Sequence, residues 1–391
     1  GVEIYHIEDN GSIRLITTID RPSQASSSFA REIVLAEEFI LLSDSHMDHM
    51  KCYIYSIGSQ ESDFALIDSV PFYSGEISPT VYGRLFAVPN NPGWNENPRT
   101  YKELDFINVY RYEENMTISV VTSLTVPSST EVLGDISNDP RGVLDNFSIL
   151  SNDLTLHKGV VALPLYYARF KKENTTSEWM YVVRMSVDQN RTLSIHEPSA
   201  PGRISSMVMD DEQLIVNQTT SYPEVGSFVD TFRLSDGNRT TIRNTPGSNK
   251  YLGGWNSSMQ LDTNMSQLYA ASGPIVEAGP PMVIPNMTLS LPLPLSESSL
   301  PVAQYPSSSG KFALTENFFV SLDTYTSNNL QNNPETYNVI RVYPKAVHNK
   351  APTDLNSISP LEFSENQPIG TIVGEFNATD PEGGVLTYHF V

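Results

Sequence analysis

The chain has 391 residues and a formal net charge of −21, from 45 acidic and 24 basic side chains. Such a field repels polyanions, so the sequence predicts no nucleic-acid partner. Hydrophobic residues make up 39% of the chain, which is enough for a packed core, but no apolar run is long enough for a membrane span. We therefore expect no direct membrane insertion of this segment.

The chain opens on a predicted β-hairpin. The stretches "GVEIYHIED" and "SIRLITTID" alternate between apolar and polar residues on either side of a polar turn. The chain ends in "GGVLTYHFV", which has the same strand-like character. Because both ends lie inside such alternations, we expect the chain to be part of a longer polypeptide.

Six copies of a repeated unit follow the opening hairpin. Each starts with two short apolar runs around a tight turn, as in "AREIVLAEEFILLSDS" and "ISPTVYGRLFAVPNN", and most continue into a third and a fourth run. The second runs are centred near Leu41, Phe86, Val161, Ile215, Tyr269 and Phe319. Four antiparallel strands per repeat of roughly 45 to 55 residues are typical of a β-propeller.

The repeats predict an all-β fold in which residues 1–345 form a β-propeller of four-stranded blades. Seven blades are favoured, the first having lost its inner strands. The alternative is a ring of six, in which the N-terminal hairpin closes the last blade. A polar insertion at residues 127–146 and a Pro-rich stretch at residues 277–301 interrupt the regular spacing.

The first full repeat, Phe29 to Ile57, resembles the FG-GAP-like repeats of integrin-type propellers in large bacterial surface proteins. It shares their pattern of a long apolar hairpin ending in "ILLSD", followed by a "YIYSI" strand. The aspartate-rich calcium loop of that family has no clear copy in this sequence. The resemblance therefore implies a propeller, but not a calcium site within it.

The stretch "SDSHMDHMKC", residues 43–52, contains several types of metal ligand. It lies between a predicted second strand and a predicted third strand, so it is a loop, and the corresponding loops of the other repeats share none of these ligands. Asp44, His46 and Asp48 alternate and would point to one side if the loop starts extended. We interpret the stretch as a variable loop tip, with an ion site at these three residues as the alternative.

The sequence changes character after residue 345. Residues 346–352, "AVHNKAP", are a predicted linker, and residues 353–391 carry "SEN", "QPIGTIVGEFNATD" and "LTYHFV". This segment resembles the first half of a cadherin-like β-sandwich repeat. The resemblance implies calcium as a cofactor, bound at the joint between repeats by Asn349, Glu365, Asp380 and Glu382. Lys350 stands where the family has an acidic residue, which weakens the joint that faces the propeller.

The sequence contains no nucleophile elbow, glycine-rich phosphate loop or paired-cysteine motif. We therefore predict a non-enzymatic, extracellular or cell-surface adhesion and interaction protein. Its propeller would recognise protein or glycan ligands at the cell surface or in the matrix, and calcium-binding cadherin-like repeats would form a stalk. The alternative is a secreted propeller hydrolase or lyase with acidic residues in the central channel. Eleven Asn-x-Ser/Thr triplets, several of them in predicted turns, indicate surface turns.

Overall fold

The structure is a computed structural model. It describes residues 1–44, 50–58, 63–72, 78–90, 106–134, 139–149, 154–172, 175–197, 199, 201–220, 226–244, 259–264, 266–272, 275–276, 283–284, 287–293, 295, 302–306, 311–328, 334–346, 353–357 and 376–379. The chain divides into two compact units, residues 1–345 and residues 346–391.

The first unit begins with a two-stranded antiparallel sheet, the N-terminal hairpin, which is followed by two four-stranded sheets. The hairpin consists of β1 (Val2–Ile7) and β2 (Ile13–Ile19). Sheet 1 consists of β3 (Phe29–Leu35), β4 (Phe39–Asp44), β5 (Lys51–Ser56) and β6 (Leu66–Pro71). Sheet 2 consists of β7 (Thr80–Tyr82), β8 (Leu85–Asn90), β9 (Phe106–Tyr112) and β10 (Ile118–Thr125).

A short helix and two further sheets come next. The helix is α1 (Ser129–Leu133), and no helix among the described residues is long and apolar enough to cross a membrane. Sheet 3 consists of β11 (Val143–Ile149), β12 (Thr155–His157), β13 (Val160–Lys172), β14 (Thr175–Ser186) and β15 (Arg191–His196). Sheet 4 consists of β16 (Arg203–Met209), β17 (Gln213–Thr220), β18 (Gly226–Arg233) and β19 (Arg239–Asn244). In sheet 3, β11 and β12 pair with successive halves of β13 and together form a broken first strand.

Two sheets complete the first unit. Sheet 5 consists of β20 (Met259–Asp262), β21 (Gln267–Ser272), β24 (Met287–Pro292) and β25 (Ala303–Pro306), with the small hairpin β22 (Ile275–Val276) and β23 (Val283–Ile284) between its second and third strands. Sheet 6 consists of β26 (Lys311–Leu314), β27 (Phe318–Asn328) and β28 (Pro334–Pro344). The second unit contains one described antiparallel pair, β29 (Thr353–Ser357) and β30 (Phe376–Thr379).

The six sheets are arranged as a six-bladed β-propeller. Within each sheet the strands pair in sequence order, and the first strands of consecutive sheets contact one another in the series β3, β7, β12, β16, β20 and β26. A first strand that meets the first strands of both neighbours lies innermost, beside the central axis. The prediction of an all-β propeller is confirmed, and all six second runs lie in the second strands of their sheets.

The core lies between neighbouring sheets. Every residue of β4 is buried, because this second strand is covered on both faces, and such strands read as continuous apolar runs. Phe39 stacks on Tyr112 of sheet 2, with ring centroids 5.1 Å apart, and also meets Phe86 at 5.6 Å. Phe86 in turn stacks on Tyr110. Aromatic pairs of this kind hold sheet 1 to sheet 2.

The N-terminal hairpin lies between sheet 6 and sheet 1. Val2 and Ile19 are buried in a cluster with apolar residues of β4 and β5. At the other side, a Cβ atom on Gly11 would lie 3.6 Å from the Phe318 ring of sheet 6. A cavity of about 490 Å3 at this seam is lined by both elements and by Leu35. The hairpin therefore closes the ring.

The favoured count of seven blades is wrong, and the alternative of six is confirmed. The hairpin is nevertheless not the fourth strand of the last blade, since in the described residues β1 and β2 pair only with each other. It forms a small sheet of its own at the seam. The physical reason is that it packs against both neighbouring sheets through side chains, while the described strands of those sheets share no backbone ladder with it.

Candidate recognition surface

The two ends of the propeller differ in how the strands are connected. Because neighbouring strands are antiparallel, the turns between first and second strands and between third and fourth strands lie at one end, which we call the turn face. The opposite side of the propeller is the loop face. It carries the connections between second and third strands and the connections that join one sheet to the next. The stretch "SDSHMDHMKC" belongs to the loop face, as predicted, since it joins β4 to β5.

On the turn face, charged side chains pair across the boundaries between sheets. Arg84 of sheet 2 donates to Glu38 of sheet 1 at 2.7 Å. Lys158 and His157 of sheet 3 both contact Asp211 of sheet 4, and the His157 Nε2 to Asp211 Oδ1 distance is 2.9 Å. The hydrogen bond from Lys158 is the main reason why the pKa of Asp211 is lowered. These exposed pairs connect neighbouring turns, although each contributes little stability.

At the loop face, buried carboxylates hold the connections against the sheets. Asp44, at the end of β4, is fully buried. Its carboxylate accepts from the backbone N–H of Ser26 at 2.6 Å and also from the Ser26 hydroxyl. Ser26 lies in the segment that links the N-terminal hairpin to sheet 1. Asp44 therefore anchors that segment.

The ion site that the sequence allows at Asp44 is only partly described by the structure. His46 and Asp48 lie outside the described residues. Within the described ranges there is no group of three or more His, Cys, Asp or Glu side chains that could hold a metal. Cys52 lies in β5, beyond the loop itself, and burial raises the pKa of its thiol. The ion site stays a prediction.

Asp230 anchors a loop-face connection in sheet 4, as Asp44 does in sheet 1. It is fully buried in β18 and accepts from the backbone N–H of Ser199 at 2.8 Å and from the Thr241 hydroxyl at 2.7 Å. Ser199 belongs to the segment that joins sheet 3 to sheet 4. Hydrogen bonds to a charged carboxylate are stronger than those between neutral groups. Asp230 therefore fixes the connection between sheet 3 and sheet 4 to the sheet below it.

Arg141 fixes a third connection, the one between sheet 2 and sheet 3. Its guanidinium lies over the Phe170 ring, 4.2 Å from the centroid, and also close to Trp179 and Tyr181. It forms ion pairs with Asp139 and with Glu197, the latter at 2.7 Å. A guanidinium can stack on aromatic rings and pair with carboxylates at the same time.

The Arg141 cluster also shifts the acidity of its neighbours. The hydrogen bond from Arg141 lowers the pKa of Asp139, whose side chain is almost buried.

Gly142 follows with a φ of 114° and lies so close to β13 that a Cβ atom would be 2.4 Å from the Lys171 carbonyl oxygen. Only glycine fits there without displacing the backbone. The contacts of the Arg141 side chain and the close approach of the Gly142 backbone to β13 together hold the connection between sheet 2 and sheet 3.

A serine and a histidine lie in hydrogen-bond contact on β15. Ser194 Oγ is 2.8 Å from His196 Nε2, and His196 also packs against Phe232. Burial, with a smaller contribution from the positive charge of Arg184, lowers the pKa of His196 to about 4. The imidazole is therefore neutral at physiological pH. It lies on the last strand of its sheet, away from the central axis.

The innermost strands lie beside the central axis, where a propeller hydrolase or lyase would need acidic side chains. Their described acidic side chains are Glu32 and Asp262. Glu32 accepts from the Ser78 hydroxyl at 3.1 Å, and Asp262 forms a buried ion pair with Lys345 at the end of sheet 6. Both carboxylates are thus engaged with neighbouring sheets. The alternative of a propeller hydrolase or lyase stays a prediction.

The sequence did not point to Asp230, Arg141 or His196 as members of these polar contacts. Arg141 lies in "DPRG", where proline and glycine mark a turn but do not indicate which rings the arginine will meet. The predicted calcium ligands Asn349, Glu365, Asp380 and Glu382 all lie outside the described residues. Calcium therefore stays a prediction.

Comparison with known protein families finds no match, and comparison with curated proteins finds none either. Among solved structures, the chain is similar to the crystal structure of BamB from Moraxella catarrhalis. The TM-score is 0.37 and the sequence identity is 10%, over 74% of this chain and 67% of that chain.

Proposed function

We propose that the chain is a non-enzymatic recognition protein of the cell surface or extracellular space, and that the loop face of its propeller binds a protein or glycan ligand. The observation that carries the proposal is the set of side chains that hold the loop-face connections, namely the buried Asp44 and Asp230 and the partly exposed Arg141. Binding residues often lie on loops that a rigid scaffold positions. The turn face, by contrast, is closed by short turns whose charges pair with one another.

The C-terminal unit is proposed to be a cadherin-like, calcium-binding element of an adhesive stalk. The support for this is the sequence resemblance of residues 353–391, together with carboxylates, the hard oxygen ligands that calcium prefers. We likewise propose that the propeller repeats are of the FG-GAP-like type. Neither proposal depends on the ligand of the loop face.

A binding experiment tests the loop face. The purified chain is applied to arrays of glycans and of extracellular matrix proteins, beside a variant in which residues 91–105, between β8 and β9, are replaced by Asn-Gly. Asn-Gly is the preferred two-residue hairpin turn, so sheet 2 should still form. We expect the variant to lose binding by tenfold or more.

A matched control changes the turn face of the same sheet. The double substitution Glu113→Gln and Glu114→Gln alters the turn between β9 and β10 and should leave binding unchanged. Equal losses in the loop-face and turn-face variants, or no binding to any array by the unaltered chain, would contradict the proposal.

Calcium binding is tested separately by thermal unfolding. The chain is melted in millimolar calcium and in excess chelator, and calcium is expected to raise the melting temperature of the C-terminal transition because it binds only the folded unit. Asp380→Ala should remove that shift. An identical melting curve with and without calcium would refute the calcium proposal, while leaving the proposed role of the loop face intact.

A further inference from the structure

Four Asn-x-Ser/Thr triplets occupy equivalent turns on one side of the propeller. One lies in the turn of the N-terminal hairpin, and three lie in the turns between third and fourth strands of sheets 2, 3 and 4. The four asparagines are Asn10, Asn115, Asn190 and Asn238. The contact of Gly11 with Phe318, which follows the first turn of sheet 6, places the hairpin turn at the turn face with the other three.

These asparagines are exposed at the tips of tight turns. All four are exposed to solvent. The Asn115 side-chain oxygen accepts from the Thr117 hydroxyl at 2.6 Å, and the Asn10 side-chain oxygen accepts from the backbone N–H of Ser12 at 2.9 Å. In both turns the amide oxygen accepts a hydrogen bond from within the same turn. Such local bonds are typical of asparagine turns.

One other triplet shows the opposite environment. Asn217, followed by Gln218 and Thr219, lies within β17 and is only 1% exposed. A bulky substituent there could not coexist with the packed sheet, because protein cores have no room for it. The four turn asparagines are exposed, and the Nδ2 group of Asn238 donates to Asp236 at 2.6 Å. A substituted amide nitrogen keeps one N–H, so this contact does not exclude a substituent.

We propose that Asn10, Asn115, Asn190 and Asn238 carry N-linked glycans. In the reaction, each Nδ2 atom forms a bond to the anomeric carbon of an oligosaccharide donor linked through a diphosphate to a lipid. The bond from that carbon to the diphosphate oxygen breaks, the lipid diphosphate leaves, and the amide nitrogen loses one proton. No oxidant or reductant is needed.

The glycans would restrict access to the turn face. Oligosaccharides are bulky and strongly hydrated, so four of them around the turn face would keep macromolecules away from that end. The inference rests on the extracellular location proposed above.

Peptide mass mapping tests the inference. The protein is isolated from the cells that naturally make it, separately from their surface and medium and from their interior, and is digested before and after enzymatic release of N-linked glycans. We expect the peptides with the four turn asparagines to change mass on glycan release, and the Asn217 peptide not to change. Asparagine-to-glutamine substitution at the four sites should lower the apparent mass of the secreted chain by the mass of the glycans that the four peptides carry.

Three results would contradict the inference in distinguishable ways. Extracellular protein whose four turn peptides are all unmodified would refute the glycans but leave the proposed location intact. Protein found only in the cell interior would refute the proposed location, and the glycans with it. Modification of Asn217 in folded, secreted protein would contradict the structural argument, because that side chain is buried.

Discussion

At the scale of single residues, His196 should make stability depend on pH. Its folded pKa is about 4, because of burial and the nearby Arg184, whereas an unfolded histidine has a pKa of about 6.5. Between these values the unfolded chain binds a proton that the folded chain does not. The stability contributed by neutral His196 is therefore fully present above pH about 6.5 and is lost as the pH falls toward about 4.

We expect this residue to lower the free energy of unfolding by up to about 3 kcal/mol across that window. Urea denaturation at several pH values, for the unaltered chain and for His196→Gln, measures the effect. The variant should have a shallower pH dependence. His6→Gln, at an exposed position on β1, serves as the control and should keep the original slope. Identical slopes for all three proteins would show that His196 is not the group responsible.

Arg141 provides a second test at the residue scale. Lysine in its place keeps the positive charge but cannot stack on Phe170 while pairing with both Asp139 and Glu197. Arg141→Lys should therefore lower the free energy of unfolding by about 2 kcal/mol. It should also raise the pKa of Asp139 toward its ordinary value, which can be followed by nuclear magnetic resonance titration. Arg191→Lys, at the exposed first residue of β15, should have no comparable effect on either quantity.

At the scale of secondary-structure elements, the contact between sheet 1 and sheet 2 depends on Phe39. The side chain is fully buried against Phe86 and Tyr112. Phe39→Ala should cost about 3–5 kcal/mol of unfolding free energy, since it leaves a cavity between two sheets. Leu35→Ala, on the neighbouring strand at 68% exposure, should change it by less than about 0.5 kcal/mol. Denaturant titration of both variants distinguishes a packed sheet interface from a loose one.

The strands were predictable because their pattern is local. The continuous apolar run of β4 and the tight turn before it predict a buried second strand without any knowledge of the partner sheets. The cross-sheet contacts were not predictable in this way. Asp44 was a candidate ion ligand in the sequence, but its carboxylate accepts from Ser26, and Arg141 meets rings that lie in two other strands. Such contacts depend on how strands distant in sequence are placed, which periodicity does not encode.

At the scale of the whole molecule, the number of blades depended on one element, the N-terminal hairpin. Sequence spacing shows a strand pair at residues 2–19 but not whether it starts a seventh blade or joins the last one. In the structure it does neither, because it forms a separate two-stranded sheet that packs at the seam between sheet 6 and sheet 1. An open ring would leave apolar edges exposed at this point.

The hairpin should therefore stabilise the entire propeller and not only its own residues. Deleting residues 1–20 exposes the partners of the buried Val2 and Ile19 and uncovers Phe318, so we expect a loss on the order of 5 kcal/mol in unfolding free energy. The shortened chain should also associate, which size-exclusion chromatography detects. Arg14→Ser, an exposed change within the same hairpin, should leave both measurements unaltered. If the shortened chain unfolds at the same denaturant concentration and stays monomeric, the ring closes without the hairpin, and the contacts of sheet 6 with sheet 1 must supply the closure.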